Sequence, residues 1–156
     1  MSYDACMSNP TPRMVGLALL LAVCALAADE PLKKKVVTPK DSAAGRPFSA
    51  GLLVGDTLYV SGQGGFDAQA KKIPDNFEDE VRACLSNVGS VLQAGGMDFS
   101  DVVSVQVYLT DMSQFQRMNA VYMAVFKEPR PTRTTVEVSK LAGAGAHIEI
   151  TVIARK

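Results

Sequence analysis

Pro131-Thr132-Arg133-Thr134-Thr135-Val136-Glu137-Val138, followed past Gly143 and Gly145 by His147-Ile148-Glu149-Ile150-Thr151-Val152-Ile153, is the stretch on which the reading of this chain turns. Both runs are rich in β-branched residues and bounded by proline or glycine, so both read as strands joined by a loop. Alternation of side chains puts Glu149, Thr151 and Ile153 on one face of the second strand. Ile148, Ile150 and Val152 then take the opposite, core-facing side. A carboxylate between isoleucines is costly unless it has a partner or a task. Arg133, at the mouth of the first strand, offers a planar fork of donors that fits a carboxylate bidentately. The two residues make a candidate small-molecule site. On adjacent strands they would equally make a structural cross-strand ion pair.

Working outward, the strand before this stretch is Val102–Leu109, with Val103, Val105, Val107 and Leu109 expected inward and Ser104, Gln106 and Tyr108 outward. Between the two lies a helix capped by Asp111, with Phe115, Met118, Tyr122, Val125 and Phe126 along one stripe. Asn119 sits beside that stripe and needs partners if buried. Met112, Met118 and Met123 read as gap-filling core or interface residues. Glu128-Pro129-Arg130-Pro131 stops the helix.

Further upstream a longer helix is expected from an Asp75 cap, with Glu78 three residues on, to Gly95-Gly96. Phe77, Val81, Cys84, Leu85, Val88, Val91 and Leu92 recur on one face, so Cys84 reads as a buried thiol. Before it, Pro47–Val54 and Thr57–Gln63 flank a Gly55-Asp56 turn and read as a hairpin. Ser61-Gly62-Gln63 ends its second strand, where a glycine admits close approach of a backbone or ligand. The order β-β-α-β-α-β-β, with two helices amphipathic on one side, gives a two-layer α/β (α+β) domain: a mixed sheet covered on one face. The second sheet face is partly apolar and is expected to be covered by another copy.

The chain has 156 residues with 16 basic and 16 acidic side chains, so no basic excess points toward nucleic acid. The N-terminus differs from the rest. Arg13 precedes an apolar run from Met14 that closes on Ala25-Leu26-Ala27, the pattern of a secretory signal peptide cleaved after Ala27. Residues 1–27 are therefore expected to be removed, residues 28–44 to form an extended lead-in with a solvated lysine run, and residues 45–156 to form the domain. Cleavage would remove Cys6 and Cys24, leaving Cys84 alone, which can form no internal disulfide and supplies no metal cluster. The location expected is secreted or periplasmic, with no membrane attachment after signal removal; a cytoplasmic location is the alternative.

Five segments together resemble the RidA/YjgF family, the reactive imine/enamine deaminases once called L-PSP endoribonucleases. They are Pro47-Phe48-Ser49; Val54-Gly55-Asp56 leading to Val60-Ser61-Gly62-Gln63; Asp101-Val102-Val103 with Val107–Met112; Asn119-Ala120-Val121-Tyr122; and Pro131–Val138 with Ile148-Glu149-Ile150. The resemblance covers about residues 45–156. It implies a chorismate-mutase-like fold and a homotrimer with ligand clefts between subunits. It implies that Arg133 grips the carboxylate of a 2-imino acid and that Glu149 handles the attacking water. It implies that Phe48, Ser61, Gly62, Thr135 and Asn119 line the cleft. No cofactor and no metal are implied.

Three departures from the family pattern bear on activity. Phe48 stands where tyrosine is usual, so a phenolic hydroxyl is missing. Thr135 stands where cysteine is common. The loop after Gln63 reads Gly64-Gly65-Phe66-Asp67-Ala68 in place of the usual proline-bearing one. The activity implied is hydrolytic deamination of 2-imino and 2-enamino acids, such as 2-iminobutanoate and 2-iminopropanoate, to 2-keto acids and ammonia. A non-catalytic metabolite-binding module is the alternative, and an endoribonuclease stands behind both.

Overall fold

The computed structural model describes residues 33–40, 42 and 45–156; the signal-peptide reading of 1–27 lies outside them. The hairpin forms as β2 (Gly51–Val54) and β3 (Thr57–Gly64), turning at Gly55, whose φ of 61° favours glycine. After β3 come α1 (Phe77–Ala94), β4 (Val102–Leu109), α2 (Phe115–Val125), β5 (Thr132–Glu137) and β6 (Ile148–Arg155). One strand was not expected. Lys34–Val37, inside the lead-in, forms β1 and pairs antiparallel with β2. Its lysines are solvent-exposed as read, but Val37 reaches the core at 3 % exposure.

The six strands make one mixed sheet in the order β1-β2-β3-β6-β4-β5, in which β4 and β5 are parallel and the other neighbours antiparallel. Both helices cover the same face. All seven residues of the α1 stripe are buried, and they meet Leu58, Val60, Val105, Val107, Ile148, Ile150 and Val152 from the sheet. Fully burying one such aliphatic side chain contributes about 1.5–3 kcal/mol relative to leaving it exposed. On α2, Met118 and Tyr122 are buried, whereas Met123, and Met112 in the turn before the helix, are exposed, which leaves the interface half of the reading of these methionines open to them.

Two local readings are corrected. The cap of α1 is Asn76, whose side chain accepts the Asp79 N–H; Asp75 instead pairs with Lys72. An amide oxygen caps as well as a carboxylate, so either neighbour could have started the helix. Val103 is 48 % exposed, because a register shift between Val102 and Ser104 turns it outward and leaves Val102 in the core. Asp111 does cap, but through a short 3-10 turn, Met112–Gln114, that feeds α2.

The α1 and α2 helices are tied by Arg117, whose guanidinium donates to both Glu78 oxygens at 2.5 and 2.6 Å. That bond holds the Glu78 carboxyl down at about 2. The uncovered sheet face carries Tyr59, Val103, Ser104, Gln106, Thr151 and Ile153, with a shallow groove of about 180 Å³ along β3, β6 and β4.

Candidate functional site

Arg133 and Glu149 are not neighbours within one chain. β4 lies between β5 and β6, so a cross-strand ion pair is ruled out. They also leave the sheet on opposite sides. Arg133 is in register with Val105, a buried residue on the helix-covered face. Glu149 is in register with Tyr108, on the open face. The strand alternation expected for β6 holds, with Ile148, Ile150 and Val152 buried and Glu149, Thr151 and Ile153 half-buried.

On the helix side, Arg133 packs against α2. Its guanidinium lies 4.5 Å from the Tyr122 ring centre and 5.6 Å from that of Phe115, and Nη1 is 3.9 Å from the Met118 sulfur. Aromatic faces attract a guanidinium through their quadrupoles. A thioether is a weak acceptor, so most of the five donors stay available. Among the described residues no carboxylate pairs with Arg133. Beside it opens a pocket of about 470 Å³ lined by Gln116, Asn119, Tyr122, Arg130 and Arg133. Asn119 and Arg133 are thus brought together as expected. Gln116 and Arg130 were given no site role from sequence, and Tyr122 was read only as part of the helix stripe and the family segment; the Asn119-to-Tyr122 spacing of one helical turn could have pointed to it.

Two hydroxyls on this side, Tyr122 Oη and Thr135 Oγ1, are buried with no hydrogen-bond partner among the described residues. Thr135 is in register with Val107, two residues along from Arg133 on the same face. Burial pushes the Tyr122 phenol above its usual range, against the pull of Arg133 and Arg130.

On the open side, Glu149 lies against Gly62. A Cβ on Gly62 would overlap the Glu149 carboxylate, so any larger residue there would displace that side chain. Gly62 sits where the β3–β6 pairing slips between Val60 and Gln63, and this bulge carries its Cα toward β6. Among the described residues the Glu149 carboxylate has no hydrogen-bond or ion-pair partner. Ser61 donates its hydroxyl to Ser49 O at 2.7 Å and its N–H to Ala50 O at 3.0 Å, fixing the Phe48 loop to the end of β3. Phe48 is 54 % exposed, with the Arg46 guanidinium 6.0 Å over its ring. The predicted residues thus fall into two groups: Arg133, Asn119 and Thr135 on the helix side, and Glu149, Gly62, Ser61 and Phe48 toward the end of β3.

A second carboxylate was missed in the sequence. Glu80 on α1 is fully buried and accepts the His147 N–H at 2.7 Å through Oε1, with His147 Nδ1 2.8 Å from Oε2. His147 therefore ties the start of β6 to α1. Cys84, one turn on from Glu80, donates to Gln63 O; burial first, and the nearby carboxylates second, push its thiol far above the usual range. That is an inert thiol. Among the described residues no three His, Cys, Asp or Glu side chains gather as metal ligands.

Comparisons with known proteins bear on the whole domain. The sequence model of the family described as "Endoribonuclease L-PSP" matches residues 38–156. A RutC family protein of Saccharolobus solfataricus is 42 % identical over 126 residues, spanning 80 % of this chain and 99 % of that one. The 2-iminobutanoate/2-iminopropanoate deaminase of Bos taurus is 37 % identical over 124 residues, spanning 79 % and 90 %. Among solved structures, RidA from the Antarctic bacterium Psychrobacter sp. superposes with a TM-score of 0.72 at 34 % identity, covering 80 % of this chain and 100 % of that one. E. coli TdcF with bound serine superposes with a TM-score of 0.72 at 31 % identity, covering 79 % and 99 %.

Proposed function

The chain belongs to the endoribonuclease L-PSP family, also called RidA/YjgF, and on that premise we propose that it hydrolyses small 2-imino and 2-enamino acids to 2-keto acids and ammonia. Substrates of the size of 2-iminobutanoate and 2-iminopropanoate suit it. The observation that carries this reading is Arg133: a half-buried guanidinium stacked on aromatic rings, facing a pocket, with no carboxylate partner among the described residues. Such a group is a ready receptor for a substrate carboxylate.

The placement of Arg133 and Glu149 on opposite faces supports a site completed by a second copy, in a homotrimer. One subunit offers Arg133, Asn119 and Thr135. The next offers Glu149 beside Gly62, together with Phe48. An enamine first tautomerises to the imine, whose carbon is electrophilic. Arg133 fixes the carboxylate and so the position of that carbon. Glu149 of the partner subunit takes a proton from water as the oxygen bonds to carbon and returns it to the nitrogen, giving a carbinolamine; it then takes the hydroxyl proton and passes that to the amino nitrogen as well. The carbon–nitrogen bond breaks, ammonia leaves, and the 2-keto acid remains. Side chains of this chain suffice for every step. The Arg13-to-Ala27 pattern adds the proposal that the mature protein works outside the cytoplasm.

A binding module that turns nothing over is the second reading, favoured by Phe48 in place of a tyrosine. Ribonuclease activity has less support, because 16 basic side chains are balanced by 16 acidic ones. The deciding experiment feeds the protein 2-iminobutanoate generated in situ and follows keto-acid and ammonia release above spontaneous hydrolysis. The expected result is acceleration, with Arg133→Ala losing on the order of 3–5 kcal/mol in kcat/KM. Release at the spontaneous rate, with 2-oxobutanoate still bound, would hand the case to the binding module.

A further inference from the structure

The pocket beside Arg133 is more cationic than one carboxylate requires. Its polar lining consists of two guanidiniums, Arg130 and Arg133, and two amides, Gln116 and Asn119, beside the Tyr122 ring; among the described residues no carboxylate lines it. A volume of about 470 Å³ is that of a whole small-molecule site rather than of one carboxylate.

The two arginines are held differently. Arg133 is anchored by its flat faces against Tyr122 and Phe115. Among the described residues Arg130 is anchored by Glu128 alone, through a side-chain ion pair and a 3.3 Å backbone bond. In that pair the Arg130 side chain is 39 % exposed and that of Glu128 is 70 % exposed. Exposed pairs of this kind are weak, and an arginine has five donors, so an incoming anion competes with Glu128 on easy terms. Pro129 and Pro131 flank Arg130 and restrict its backbone. Three residues of extended chain place the Arg130 and Arg133 Cα atoms at most ~10 Å apart, so long side chains from both can meet the two ends of a four- or five-carbon diacid.

We propose that Arg130 is a specificity-determining residue that reads a second carboxylate on the ligand, so that the pocket favours dicarboxylic 2-imino and 2-keto acids over aliphatic ones. The inference rests on the reading that Arg133 holds the first carboxylate. Arg130 acts on which side chain is accepted and takes no part in the attack of water.

Titration calorimetry at fixed ionic strength with 2-oxobutanoate and 2-oxoglutarate tests it. Wild type is expected to bind 2-oxoglutarate roughly tenfold more tightly, the gain of one further charge-assisted contact. Arg130→Gln should bring the ratio near one, and Arg130→Glu should reverse it. Equal affinity in the wild type, or a preference that survives both Arg130 variants, would overturn the proposal. Arg133→Ala separates this failure from that of the underlying reading. If it abolishes binding of both acids, Arg133 stands and only the role of Arg130 is in question. If it binds both as well as wild type, the carboxylate receptor itself is misplaced, and the Arg130 proposal falls with it.

Discussion

Two glutamates in this molecule face the same problem, a carboxyl group taken out of water, and meet it in opposite ways. Glu80, at the start of α1, is fully buried and has both oxygens engaged by His147. Glu149, in β6, is half-buried against the bare Cα of Gly62, and neither oxygen has a partner among the described residues. A buried polar group that is satisfied holds a fold together. One that is left unengaged, at a place a glycine keeps open, has capacity for a ligand or water. The contrast is the one the proposed function expects, with Glu80 serving structure and Glu149 chemistry.

The comparison breaks most readily on two matched substitutions. Glu149→Gln keeps size and shape and is expected to lower kcat by roughly 10²–10⁴, while stability stays within about 0.5 kcal/mol of wild type. Glu80→Gln should do the reverse. It replaces the contact of a carboxylate with His147 by a weaker neutral one, so about 1–3 kcal/mol of stability is lost and the melting temperature falls by several degrees, with kcat per folded molecule little changed. Denaturant unfolding and steady-state kinetics on both variants read the outcome. If the stability loss falls on Glu149 and the kinetic loss on Glu80, the assignment is inverted.

Legibility from sequence follows the same divide. Glu149 stood out because an alternating strand places each side chain on a known face, and an acid among isoleucines is conspicuous there. Glu80 sits in the first turn of a helix, where Glu78 and Asp79 are also acidic and such residues are ordinarily solvated. Its burial comes from Gly65, which leaves the space its side chain fills, and from His147, 67 residues away. Neither is visible as a local pattern. The helices and the other five strands were readable from period and punctuation. β1 was not, because half of Lys34-Lys35-Val36-Val37 is lysine and the segment becomes a strand only by pairing with β2. The site residues were legible one by one through family resemblance. Their division between two sheet faces depended on strand order, since β4 enters between β5 and β6.

A smaller effect sharpens the structural half of the comparison. The Glu78–Arg117 bridge joins α1 to α2, and Arg117 holds the Glu78 carboxyl at about 2, below its unfolded value. A depressed acid contributes stability above its unfolded value and loses it as pH falls through its folded one. Wild type should therefore lose a small increment of melting temperature between pH ~5 and pH ~2 that Glu78→Gln does not. Parallel curves for the two proteins would mean the bridge is idle.

The central claim is that Arg133 and Glu149 act together only across two copies of the chain, and subunit mixing tests it most directly. Arg133→Ala and Glu149→Gln are each expected to be nearly inactive. Co-assembled in equal amounts, they should recover about a quarter of the wild-type kcat, the fraction of interfaces that by random assembly receive an intact arginine from one subunit and an intact glutamate from the next. Mixed oligomers no more active than the parent variants would contradict the account and place both residues in one chain's site.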